Sequence, residues 1–137
     1  MRDSVRFWWA TRGLGSQPAW LRAFAYRMVV NCIFLGIALF KVQSGSSAFV
    51  GPRYIMPIWC WGSLYLATAL WGIVAITMKK VTLLRGSLTF AVMVHAFLAG
   101  ALFVSFLQSG TGLFSAVAVA SLGVGFLSAV SQLARRQ

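Results

Sequence analysis

Residues 87–107 read SLTFAVMVHAFLAGALFVSFL, a run with no acidic or basic side chain except the lone histidine His95. A helix needs about 20 residues to cross the hydrocarbon core of a bilayer, so this run alone predicts a membrane-spanning helix. Three neighbouring runs have the same character, at residues 24–42, 55–78 and 113–134. The first is bounded by Arg27 and Lys41, whose long side chains reach towards opposite headgroup layers. Between the runs lie a polar stretch with turn residues at both ends (Gln43 to Ser47, Gly51 to Arg53) and a short basic stretch (Lys79 to Gly86). The third break is an uncharged turn, Gln108 to Gly112. Loops this short join adjacent helices. The expected fold is all-α, an antiparallel four-helix membrane bundle.

Charge gives the bundle a direction. The chain carries 12 Lys and Arg against one acidic residue, Asp3, and is 60% hydrophobic with only 9% charged residues. With four spans, the arm before the first, the loop after the second and the tail at 135–137 share one side. That side holds Arg2, Arg6, Arg12, Arg22, Arg27, Lys79, Lys80, Arg85, Arg135 and Arg136, while Lys41 and Arg53 face the other. Ten against two places both termini in the cytoplasm of a cell whose inner membrane holds the chain. The ten are expected to meet anionic lipid headgroups. The same excess of positive charge in a soluble protein would suggest nucleic acid, but cations at the edges of apolar spans point to the bilayer instead. A cleaved signal peptide over the first span is not expected, because the basic region before it is long and aromatic and Lys41 interrupts the approach to any cleavage site.

The arm at residues 1–23 interleaves Phe7, Trp8, Trp9 and Trp20 with arginines, and Pro18 suits the first turn of a helix. Indole rings favour the headgroup layer, so the arm is expected to lie on the cytoplasmic face as an interfacial segment. A second aromatic group, Tyr54, Trp59, Trp61 and Tyr65, predicts an opposite interfacial belt at the start of the second span.

Within the spans, polar side chains are few. Asn31 and His95 need partners at a depth where water is absent, and an intramembrane ionisable residue is a functional candidate. The amide of Asn31 reaches His95 if the first and third spans touch. His95 shares a helix face with Ser87, Ala91 and Ala99, a setting for close helix approach. Small residues also recur at spacing four as Ala116 and Ala120, as Ser121, Gly125 and Ala129, and as Thr68 and Gly72; such patterns serve bundling within a chain or association between chains. Pro57 and Gly62 are expected to loosen the start of the second span.

Chemistry is scarce. No pair of carboxylates is available for acid–base work, and no base stands beside a serine, so no enzyme is expected. Cys32 and Cys60 lie inside apolar runs without metal-ligand or redox spacing, and behave as buried free thiols. No cofactor or metal is expected.

A small basic bundle of four spans with short loops and small-residue faces resembles the holins, phage proteins that permeabilise the inner membrane. That resemblance is one of architecture, and implies accumulation followed by self-assembly of copies. Two other functions fit the same features: an accessory subunit of a larger membrane complex, and a small channel with His95 in its lumen. The expected partners are the lipid bilayer and either further copies or other membrane proteins.

Overall fold

The computed structural model describes residues 19–42 and 49–135, and these residues are all-helical without strands. Four long helices dominate: α1 (Ala19–Phe40), α3 (Ile58–Thr77), α4 (Val81–Ser109) and α5 (Leu113–Arg135). A short helix, α2 (Val50–Ile55), stands before α3. All four long helices have the length and apolar composition to cross a membrane. Leu and Ala favour helix, and in hydrocarbon a helix is the way for one segment to satisfy its own backbone.

The breaks have local causes. Pro57 caps the start of α3 from outside, with Met56 extended before it. It ends α2 and begins α3 rather than loosening α3 from within. After α3, Lys79 adopts a left-handed conformation (φ 52°) and the Lys79 and Lys80 amides fold back onto Ile76 and Ala75. The expected uncharged turn forms where Gly110 and Gly112 take positive φ and the Gly110 amide donates to Phe106. A left-handed glycine closing a helix satisfies an otherwise orphan carbonyl.

Three boundaries differ from the sequence reading, the first being the start of α1 at Ala19, inside the expected arm. The basic stretch at 79–86 is mostly helix, because Val81 and Leu84 are both buried and draw the first turns of α4 inward. The first loop also holds a helix, α2, held by specific contacts. The Gly51 amide donates to Ser105 Oγ at 2.6 Å, and the Trp61 indole donates to the Pro52 carbonyl at 3.1 Å. A side chain at position 51 would run into the Ala101 carbonyl, so only glycine fits this approach to α4.

α4 lies at the centre of the helical bundle and touches every other helix. Its closest partner is α5, while α1 pairs with α3. The α1–α3 seam is built on glycine. A Cβ on Gly36 would meet Leu66 at 2.8 Å and the Gly62 carbonyl at 3.2 Å, and one on Gly62 would meet Phe40 at 2.9 Å. Further along, Gly72 faces Met28 and Val29. These pairs run in opposite order along the two helices. The core between helices is formed by Leu21, Met28, Trp61, Tyr65, Leu88, Leu98 and Phe126. Phe34, Phe97 and Phe114 point outward, as side chains facing lipid do.

Candidate functional site

The most unusual chemistry in the bundle surrounds His95. It lies in the middle of α4 and is fully buried. Its Nδ1 sits 2.7 Å from the Ala91 carbonyl, one turn earlier. A carbonyl only accepts, so the neutral ring carries its proton on Nδ1. That leaves Nε2 as a bare acceptor, with no partner among the described residues. Two aromatic rings flank the imidazole edge-on: Tyr65 of α3 at 5.0 Å and Phe126 of α5 at 5.3 Å. The Tyr65 hydroxyl is buried and also lacks a partner. On the third side, a Cβ on Gly123 would sit 3.1 Å from the His95 Cβ, so α5 passes close to the histidine.

The group is an aromatic clasp that joins three helices. A donor, the Tyr65 hydroxyl, and an acceptor, His95 Nε2, both lack a partner among the described residues, although their rings touch. Each such buried polar group costs about 1–3 kcal/mol. Within one copy of the chain, His95 faces packed protein rather than an open passage. The Asn31 amide nitrogen is likewise buried and without a partner among the described residues, so it does not meet His95. The remaining buried hydroxyls are satisfied by their own helices: Thr68 donates to Leu64 at 2.7 Å and Ser87 to Leu84 at 2.9 Å. Cys32 and Cys60 are free thiols. Among the described residues no three His, Cys, Asp or Glu side chains gather as a metal site would require.

The small residues singled out from sequence divide into two sets. Thr68, Gly72, Ala116 and Ala129 are buried between helices. Ala120 and Ser121 are exposed, and a Cβ added to the half-buried Gly125 meets nothing within 4 Å. The inward face of α5 is instead Ala116, Val119, Gly123, Phe126 and Ala129. Its outward face carries Ala118, Ser121, Gly125 and Ser128, spaced three and four apart. Ser121 and Ser128 turn their hydroxyls back onto the Ala118 and Gly125 carbonyls, each at 2.8 Å. The face is therefore low in profile and internally satisfied.

The aromatic residues divide similarly. Trp59 and Tyr54 are exposed, as expected of a belt, and Trp20 is half-buried. Trp61 and Tyr65 are buried inside the protein instead. Both belong to the face of α3 that turns towards the other helices: Trp61 ties α3 to α2, and Tyr65 packs on His95. Of the cations expected at headgroups, Arg22, Arg27, Lys79, Lys80 and Arg135 are exposed and Arg85 is half-buried. Arg2, Arg6, Arg12, Trp8, Trp9 and Arg136 lie outside the described residues.

Sequence reasoning missed the Gly36–Gly62 seam, the Gly51 approach and the Tyr65 partner of His95. The first had a signal, since Gly36 and Gly62 occupy the two spans that a short loop makes neighbours. The other two depend on which way a side chain points along helices that are apolar all round. No family model matches the chain, and neither a curated protein nor a solved structure matches it.

Proposed function

We propose that the chain is a non-enzymatic protein of a bacterial or phage-infected cell's inner membrane, whose copies assemble through the outward face of α5 into a membrane-permeabilising lesion, as holins do. The spans form an antiparallel bundle with both termini in the cytoplasm, the orientation that ten basic residues against two favour. The observation that carries the reading is the low outward face of α5. Lipid offers no hydrophobic drive for helix association, so contact between copies depends on close packing, and small residues allow backbones to approach. Ala118, Ser121, Gly125 and Ser128 offer that approach where their own bundle leaves it unused. The same face would equally receive a helix of a different protein, which is the accessory-subunit reading.

Membrane potential and viability during induced expression in bacteria separate the two. Wild-type chain is expected to collapse the potential abruptly after a period of accumulation, and Gly125→Leu at equal membrane abundance is expected to leave it intact. Normal potential at high abundance of the wild type would overturn the lesion reading in favour of the accessory subunit.

A further inference from the structure

Among the described residues, an open cleft of about 370 Å³ lies where α1 ends and α3 begins, between those two helices and α2. Leu39, Phe40 and Val42 form one wall, Ile58 and Trp59 the other, and Arg53 of α2 supplies the charged group. The geometry points to a binding site for one phospholipid, with the lipid phosphate on the Arg53 guanidinium and the start of an acyl chain along Phe40 and Ile58.

Three features support this occupant. The first is depth. In a chain whose long helices cross a membrane, the end of one helix and the start of the next lie at the headgroup layer, where phosphate is concentrated. Trp59 is 61% exposed at the rim, the position an indole prefers at that layer.

The second is chemical pattern. An amphiphile with an anionic head and an apolar body matches a cleft with one guanidinium and otherwise mostly apolar walls. A small soluble anion would leave those walls uncovered. Arg53 lines the cleft and also interacts within the protein. A guanidinium presents five N–H donors in a planar fork that suits the paired oxygens of a phosphate.

The third is charge. Lys41, exposed and adjacent in sequence to two wall residues, adds a second cation beside the cleft.

The site is distinct from the outward face of α5, and it depends on the membrane-spanning reading alone. It stands whether the copies form lesions or join another complex.

The test is lipid retention by the purified full-length chain, read by native mass spectrometry from detergent containing a phosphatidylglycerol of defined acyl chains. Wild-type chain is expected to retain one lipid per copy. Arg53→Gln is expected to weaken retention roughly tenfold, the order expected for losing a charge-assisted pair. Ile58→Trp, which fills the cleft and leaves the charge in place, is expected to weaken it as well. Arg135→Gln, at the end of α5 and away from the cleft, is expected to lower only loose association with anionic headgroups and to leave the one retained lipid per copy in place. A circular-dichroism melt of each variant confirms a folded chain.

Equal retention by Arg53→Gln and wild type would overturn the proposal. So would equal loss in Arg135→Gln, which would make the effect one of general surface charge. Displacement of the lipid by millimolar inorganic phosphate would show that the site takes a soluble anion instead. Loss of a dimer in Arg53→Gln with lipid retention unchanged would assign the cleft to a second copy.

Discussion

The α1–α3 seam and the outward face of α5 carry the same kind of residue and have opposite fates. At the seam, Gly36, Gly62 and Gly72 are buried, and an added methyl on any of them meets a neighbour at 2.5–2.9 Å. On α5, the same test at Gly125 finds open space, and Ser121 is exposed. The seam has already used its small residues to bring two helices together. The α5 face has the same capacity and, among the described residues, no partner. Small residues therefore mark where a helix is able to pack, and the structure separates packing completed within one copy from packing left available.

That contrast predicts a graded series of substitutions, measured as stability by thermal or denaturant unfolding in detergent. The largest loss is expected at Gly51, which faces backbone rather than a movable side chain. Gly51→Ala is expected to cost about 3 kcal/mol or more, since a methyl would displace α2 from α4. A cost below about 1 kcal/mol would show that α2 shifts freely and anchors nothing.

Gly36→Leu comes next, at about 2–3 kcal/mol, because both α1 and α3 would have to part. An unchanged melt would mean that the seam is not a close-packed contact. Ser105→Ala removes the acceptor for the buried Gly51 amide and is expected to cost about 1–2 kcal/mol. It leaves packing volume nearly unchanged, so it separates the hydrogen bond from the fit around Gly51. Gly125→Leu is expected to alter stability by less than about 0.5 kcal/mol, since the new side chain enters open space. Its effect should fall on association between copies. A large stability loss there would place Gly125 inside the fold and erase the contrast.

Much of the architecture was legible in the sequence. The four spans follow from apolar length, and the turn at Gly110 to Gly112 from its glycines, because both signals are local. The N-terminal side of α4 was less legible: the charges of Lys79, Lys80 and Arg85 masked the burial of Val81 and Leu84. Helix α2 was hidden because Gly51 and Pro52 read as turn residues. Their actual role depends on Ser105 and Trp61, which are distant or differently oriented in sequence terms.

The environment of His95 was half legible. Its place in the middle of a span and its small-residue neighbours marked it as buried. Its contacts with Tyr65 and Phe126 were out of reach, because helices that are apolar on every side carry no stripe to reveal the inward face. The same limit explains why Trp61 and Tyr65 read as an interfacial belt, and why Ser121 and Gly125 could not be sorted from Ala116 and Ala129.

The central claim is that the outward face of α5 meets its counterpart on another copy. Oxidative cross-linking in native membranes tests it most directly, using Ser121→Cys in a chain that also carries Cys60→Ser, beside Ala67→Cys on the exposed side of α3. Disulfides require close Cβ approach, so the account predicts covalent dimers from Ser121→Cys and none from Ala67→Cys. Monomer alone from Ser121→Cys, or equal cross-linking at both positions, would contradict it.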